Sequence, residues 1–398
     1  MIFKTVFNPI KRASAQWIWA QLATLFIALA LVHISVAAQG VRPETVSSGL
    51  QNPWAVGFLP DGKFLVTERP GRLRVIDTAG KTSKAIEGVP EVAAGGQGGL
   101  LDLLLDAEFA SNRTLYFCFS EPATVGNGNS TALASATLSP DLTRLSNVKV
   151  IFSQKPKFAS SLHFGCRIVE SRAAGVNGKP DGKLFLMLGD RYSRAADAQT
   201  LGNHHGKIVR INKDGSTPQD NPFVNRAGAL PEIWSYGHRN QQGATLAPDG
   251  TLWTNEHGPQ GGDEVNLPKP GLNYGWPVIT YGENYGGGKI GDGLTAQTGM
   301  EQPAHYWVPS IAPSGMVFLT SERYGKAWQG NLFVGSLKFA YLNRIELTAP
   351  YAGKVVRESK LISDLGERIR DVRQGPDGLL YVLTDGNNGK LVRLVPAP

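Results

Sequence analysis

Short apolar runs recur along the whole chain, and several are introduced by the same turn. Pro-Asp-Gly begins at Pro60, Pro180, Pro248 and Pro376, and the runs that follow read KFLVTER, KLFLMLGD, TLWTNEH and LLYVLTD. The glycine supplies the positive φ that a tight turn needs, so each copy predicts a hairpin feeding a strand. The spacings are 120, 68 and 128 residues, or two, one and two units of sixty-odd. The gaps hold weaker copies, ASNRTLYFCFSE near residue 115 and WQGNLFVGSLK near residue 333. Six units, each long enough for four short strands, predict an all-β fold: a six-bladed β-propeller of four-stranded antiparallel blades, whose radial repetition protects the strand edges. An irregular array of β-sandwiches is the competing arrangement. Beyond the N-terminal segment no run of a dozen residues has helical spacing, which argues against a doubly wound α/β sheet. The unit also differs from the forty-odd-residue repeat with a Trp-Asp ending that builds plain interaction propellers.

The first forty residues have a different character. Trp17 to Ala38 contain no Asp, Glu, Lys or Arg, follow Lys4, Lys11 and Arg12, and end in Val36, Ala37, Ala38. That order predicts a secretory signal peptide over residues 1–38, leaving one exported propeller domain over 39–398. An uncleaved anchor is the alternative, since about twenty apolar residues can span a bilayer. No second membrane span is expected.

Composition agrees with a β-rich globular chain. Gly 47 and Pro 25 make about 18% of the 398 residues, which disfavours long helices, while 41% hydrophobic residues suffice for a large core. The formal charge of +7 falls to about +4 without the leader, and no Lys/Arg block suggests nucleic acid. Cys118 and Cys166 both lie in apolar runs of an exported protein, so a disulfide and two buried thiols are both open.

Candidate chemistry gathers where the repeated strands end, because equivalent strand ends meet around a propeller axis. Those ends include Glu68-Arg69, Ser120-Glu121, Asp190-Arg191, Glu256-His257, Lys338 and Thr384-Asp385. The segment SYGHRNQQG concentrates His238, Arg239, Asn240 and Gln242, donors suited to carboxylates and carbonyls. Arg368 and Arg370 are spaced so that on a strand both guanidiniums point to one face, where like charges repel unless an anion lies between them; two surface arginines are the alternative. Asp263 and Glu264 sit among Gly and Pro in a segment that offers carboxylate and backbone oxygens, the ligands calcium takes, although the spacing is not that of an EF-hand. His163 is a candidate general base. His204-His205 lacks further metal-spaced ligands for zinc, and GGGKIG at 286–291 lacks the spacing of a phosphate loop.

Eight ordered segments, GLQNPWAVGFLPDGKFLVTERPGRL, GGQGGLLDL, HFGCR, SYGHRNQQG, NEHGPQGGDEVN, NYGWP, SLK and RIRDVRQGPDGLLYVLTD, together resemble the soluble quinoprotein sugar dehydrogenases, in particular the bacterial periplasmic aldose sugar dehydrogenases that use pyrroloquinoline quinone (PQQ). The resemblance runs from about residue 45 to the C-terminus and implies a six-bladed propeller. It also implies His163 as the base that takes the sugar hydroxyl proton, Gln97 lining the same pocket, Arg239, Asn240 and Gln242 around the quinone, and Lys338, Arg368 and Arg370 as a clamp for its three carboxylates. Gly258 and Pro259 match carbonyl ligands of a calcium that touches the cofactor, Glu264 and Tyr274 match ligands of a further calcium, and Tyr285 is matched less closely to a pocket aromatic.

Two departures bear on the substrate: Leu162 stands where glucose-specific members have an acid, and Gln241 replaces a proline common in the HRN turn. The expectation is a PQQ- and calcium-dependent enzyme that oxidises the anomeric hydroxyl of aldoses to lactones, with broad substrate choice. An unidentified external electron acceptor and a monomeric or homodimeric state complete that expectation. A calcium-dependent propeller lactonase and a non-enzymatic binding propeller are the rival readings; the first requires carboxylate and Asn ligands converging on the axis.

Overall fold

The computed structural model describes residues 1–2, 40–171 and 181–397, so the expected leader lies outside the described residues apart from Met1 and Ile2. Val41–Ala397 form one unit built from six four-stranded antiparallel sheets, the six-bladed propeller expected. The six copies of the repeat are the second strands of the six blades: Phe64–Glu68, Thr114–Pro122, Leu184–Leu188, Leu252–Glu256, Leu332–Ser336 and Leu380–Thr384. Five of them are buried along their full length, because each lies between the sheets of neighbouring blades. That two-sided burial is why they read as continuous apolar runs. Leu65, Leu103, Phe117, Leu186 and Val209, drawn from successive blades, belong to one such interblade core.

The first strands, Pro53–Phe58, Leu100–Leu105, Gly165–Glu170, Gln241–Leu246, Pro313–Phe318 and Ile369–Gln374, touch one another in a closed ring around the axis. Blade 6 is completed by the N-terminal strand Val41–Leu50, which pairs with Gly389–Pro396 and joins the two ends of the propeller. Pattern reading does not reveal this closure, since that strand carries no copy of the repeat. Every first strand also shifts register against its second strand near its start. Such bulges bend a strand and re-aim the chain that enters it; Gln97, His163, Arg239, Asn240, Gln242, Arg368 and Arg370 lie at four of these entries, whereas Gly258, Pro259 and Lys338 follow second strands and Glu264 lies in a third.

A charge network occupies the axis. The Arg167 guanidinium donates to Asp102 and Asp371 at 3.0 Å each, and Arg373 donates to the same two carboxylates. Arg167 also lies over the Trp54 ring at 4.3 Å. The acids come from the first strands of blades 2 and 6 and the arginines from blades 3 and 6, so the network ties three blades together. The two cysteines form a disulfide, with Cα atoms 5.7 Å apart, which resolves the open alternative. Among the described residues no helix is long and apolar enough to cross a membrane.

Candidate active site

The loop entering blade 3 carries His163 in a left-handed conformation, φ 50°. Its backbone N–H donates to Gln97 Oε1 at 2.8 Å, and its Nδ1 lies 2.6 Å from Asp190 Oδ1. Asp190 also accepts the Tyr192 backbone N–H on Oδ1 at 2.8 Å and the Trp276 indole N–H on Oδ2 at 2.7 Å. Both of those groups only donate, so Asp190 is an acceptor throughout and the imidazole proton resides on Nδ1. Nε2 keeps its lone pair. Burial lowers the His163 pKa below its ordinary value, against the opposing pull of Asp190. Arg191 braces the same loop through the Leu162 and Ser160 carbonyls while stacked 3.8 Å over Phe164. Asp190 and Arg191 were visible in the sequence as a polar strand end, without an assigned role.

Beside this loop opens a cavity of about 1340 Å³ lined by Gln97, Phe164, Gln242, Pro259, Lys338, Arg368 and Arg370, together with Arg69 and Tyr285. Arg368 and Arg370 both lie 3.2 Å from Asp385 Oδ2, so the anion between the like charges is supplied by the chain itself. Burial alone would raise the Asp385 carboxyl, but Arg370, Arg368 and Arg69 together hold it below the usual carboxylate range. The two arginines differ in setting: the Arg368 side chain is 55% exposed at the mouth and that of Arg370 is 10% exposed. Lys338 is also exposed at the mouth, 5.2 Å over the Phe339 ring. Arg69 was not among the expected cations; its guanidinium donates to the Gly96 carbonyl at 2.7 Å.

The HRN turn at the entry to blade 4 sits between this cavity and a smaller one. Asn240 Oδ1 accepts from Gly165 N–H at 3.1 Å, and Gln242 Oε1 accepts from Arg370 at 3.3 Å. Arg239 donates to the carbonyls of His257 and Gly258 at 3.0 and 2.7 Å and lies over Trp276. Arg239 Nε, Asn240 Nδ2 and Arg370 Nε are buried donors with no hydrogen-bond partner. Such atoms are expensive to leave unmatched. Three of them on residues expected to contact one cofactor mark a place for a ligand rich in acceptor oxygens.

The smaller cavity is lined by Arg239, Glu256, Gly258, Glu264 and Tyr274 and has a volume of about 10 Å³, room for one ion or water. Glu264 faces it but is otherwise surrounded by protein, and burial together with the Glu256 charge pushes its carboxyl up to about 8. Asp263 is not available as a ligand, contrary to its grouping with Glu264 in the sequence. Its oxygens accept from Gly258 N–H, Ser310 Oγ, Ile311 N–H and Ala312 N–H at 2.6 to 2.9 Å. It therefore positions the Gly258–Pro259 turn. The Tyr274 hydroxyl is likewise engaged, donating to the Leu267 carbonyl and accepting from Lys269 N–H, which leaves its backbone carbonyl as its ligating group. Among the described residues no three His, Cys, Asp or Glu side chains converge as a metal cluster, so a cation here relies on backbone oxygens plus the Glu264 carboxylate. His204 and His205 are buried beside Glu232 and Asp197, at 3.5 and 2.8 Å.

A family model described as glucose/sorbosone dehydrogenase matches residues 50–393. The aldose sugar dehydrogenase YliI of Escherichia coli is 43% identical over 359 residues, spanning 89% of this chain and 93% of the relative. The crystal structure of the soluble aldose sugar dehydrogenase from Escherichia coli in its apo form superposes with a TM-score of 0.83 at 41% identity, covering 90% of this chain and all of that one. The PQQ-bound aldose sugar dehydrogenase of Streptomyces coelicolor gives 0.72 at 26% identity, covering 91% and 99%.

Proposed function

Because the chain belongs to the glucose/sorbosone dehydrogenase family, and is thus a sugar-oxidising quinoprotein, we propose that it oxidises the anomeric hydroxyl of aldoses to lactones with PQQ and calcium, using His163 as general base. The observation that carries this reading is the set of buried, unmatched donors on Arg239, Asn240 and Arg370 beside a cavity lined by three further cations, within reach of the His163–Asp190 pair. A tricarboxylate with carbonyl oxygens supplies acceptors for those donors and counter-charge for the cations around them.

When bound, PQQ supplies a carbonyl carbon that accepts hydride and calcium supplies a positive charge that stabilises the electrons received. The remaining work falls to side chains. His163 Nε2 takes the hydroxyl proton as the carbon–hydrogen bond weakens, and Asp190 steadies the imidazolium that forms. Gln97 and Arg191 fix the height of the His163 loop. Arg370, Gln242, Asn240 and Arg239 would hold the cofactor, while Arg368 and Lys338, exposed at the mouth, would attract its carboxylates. The Pro259 carbonyl, together with the Gly258 carbonyl that already accepts from Arg239 at 2.7 Å, would hold one calcium, and Glu264 with the Tyr274 carbonyl would hold the other, an oxygen set suited to a hard cation. Leu162 removes an acid from the sugar side and leaves substrate choice broad.

The hydrolase alternative has no comparable support, since the axial acids Asp102 and Asp371 are each engaged by Arg167 and Arg373. Export of the mature chain, after removal of residues 1–38, belongs to the same proposal, as does an external electron acceptor. The test is to titrate purified protein with PQQ and calcium and follow aldose-dependent reduction of an artificial dye. Sugar-dependent turnover in wild type and its loss in His163→Ala, with cofactor still bound, is the expected result; no PQQ binding at all refutes the proposal.

A further inference from the structure

The segment from His163 to Cys166 departs from ordinary strand geometry at three of its four residues. His163, Gly165 and Cys166 have φ of 50°, 68° and 78°, and only Gly165 adopts such values without steric penalty. The register skips from Gly165, paired with Leu188, to Ile168, paired with Leu186, so Cys166 and Arg167 together face a single residue of the second strand. Cys166 thus sits inside a bulge, where the sheet ladder does least to hold the backbone.

Cys166 is instead bonded to Cys118, in the middle of the second strand of blade 2. That strand is held on both sides: Cys118 is register-paired with Leu133, and its neighbours Phe117 and Phe119 are buried. The same blade reaches the loop a second time, through Thr131 Oγ1 donating to the Phe164 carbonyl at 2.6 Å. Three residues before the disulfide is the imidazole, and one residue before it is the Gly165 N–H that Asn240 accepts.

We propose that the Cys118–Cys166 disulfide is a positioning element for catalysis: it fixes the bulge from which His163 is presented, so the oxidation state of two buried cysteines sets turnover. This rests on the reading of His163 as the base. Without the bond, the left-handed backbone at Cys166 relaxes, the imidazole shifts relative to the substrate hydroxyl, and a misplacement of about 1 Å costs up to about a hundredfold in rate. The cofactor clamp, built on blades 4, 5 and 6, meets the bulge only through Asn240 Oδ1, which accepts the Gly165 N–H, so its cations on blades 5 and 6 stay in place.

The full-length chain purified under reducing conditions contains two thiols, verified by alkylation and mass. Oxidised glutathione then takes two electrons, the two thiols lose their protons as the sulfur–sulfur bond forms, and two molecules of reduced glutathione leave. The dithiol form is expected to bind PQQ within about twofold of the oxidised form. Its kcat is expected at least about tenfold lower with a smaller change in KM, fully recovered on oxidation. Cys118→Ser reproduces the dithiol form and does not respond to glutathione. Equal kcat in the two forms of the unmutated chain overturns the proposal, even if Cys118→Ser fails to fold. Parallel loss of PQQ affinity overturns it as well, since that reports general loosening. His163→Ala, assayed alongside, separates the two ideas: full activity there refutes the base assignment, whereas an inactive His163→Ala beside a fully active dithiol form refutes only the role of the disulfide.

Discussion

Asp190→Asn probes the catalytic geometry directly, because an amide has one acceptor where the carboxylate has two. In the wild type one oxygen of Asp190 receives His163 Nδ1 and Tyr192 N–H, and the other receives the Trp276 indole N–H. If the amide oxygen of Asn faces His163, its NH₂ confronts the Trp276 N–H across 2.7 Å. If it is flipped, the NH₂ confronts the Tyr192 N–H and donates to Nδ1, which forces the imidazole proton onto Nε2 and abolishes the base. Either way one buried donor pair clashes, at about 1–3 kcal/mol. That is tolerable within the 5–15 kcal/mol typical of a folded protein. The two orientations are close in energy, so a large fraction of molecules holds the wrong tautomer and the remainder loses the charge that stabilises the imidazolium. We expect kcat to fall by about 10² or more, within the 10²–10⁴ range of a general base.

The pH profile gives a second, signed readout of the same change. The His163 pKa already lies below 6.5 through burial, and Asp190 opposes that effect. A base must be neutral to act, so the acid limb of kcat/KM in the wild type lies below pH 6.5, and Asp190→Asn moves it lower still. PQQ affinity should change by less than about threefold, since the Asp190 side chain bonds no cofactor-facing side chain directly and its link to Arg239 is a backbone one, N–H to carbonyl at 2.8 Å, that Asn keeps. Turnover within about threefold of wild type with an unmoved acid limb refutes the reasoning.

Further outcomes follow from the same geometry. Arg370→Ala removes a buried guanidinium and should weaken PQQ binding about ten- to hundredfold by equilibrium titration. Arg368→Ala, 55% exposed, should cost less than about fivefold; the reverse order contradicts the assignment of depth. Calcium at a hundred times its dissociation constant should stabilise the protein by about 2.7 kcal/mol. Glu264→Gln should shrink that thermal shift, and an unchanged shift places the cation elsewhere. Asp102→Ala leaves Arg167 and Arg373 sharing Asp371 and should destabilise the fold by about 3–5 kcal/mol in chemical denaturation; a change under about 1 kcal/mol shows that the axial network holds little.

What could be seen in the sequence was whatever repeats. Pro-Asp-Gly turns and buried second strands are local features, and they located all six blades. The closing strand Val41–Leu50 escaped because its identity depends on a partner, Gly389–Pro396, more than three hundred residues away. Distance also hid the state of the cysteines, 48 residues apart and on different blades. Gln97, Gln242, Pro259, Lys338, Arg368 and Arg370 do line one cavity, but this grouping came from resemblance to a family, since nothing local to any one of them points to the others. The repulsion argument for Arg368 and Arg370 correctly required an anion, yet its first occupant is Asp385, fifteen residues beyond Arg370 at the end of the next strand.

The polar strand ends read in the sequence as candidates for direct chemistry, and the structure gives them a more uniform task. In each blade the residue at or just beyond the end of the second strand holds the loop that enters the first. Glu68 accepts from Gln51 N–H, Ser120 from Gly99 N–H and Glu256 from Arg239 N–H. Ser336 donates to the Ile311 carbonyl, Asp190 accepts from the His163 ring, and Asp385 pairs with Arg368. The entry loops are where Gln97, His163, Arg239, Asn240 and Arg368 reside. They arrive at bulged strands whose ladders begin late, so they need an external hold, and the neighbouring strand end is the nearest rigid point. Most of these strand-end groups have partners, Asp385 Oδ1 being an exception, and the loop residues they hold keep unmatched donors such as Asn240 Nδ2. The division of labour is therefore physical: strand-end groups fix the entry loops, and unmatched donors on Arg239 and Asn240 in those loops and on Arg370 at a strand start are left to bind.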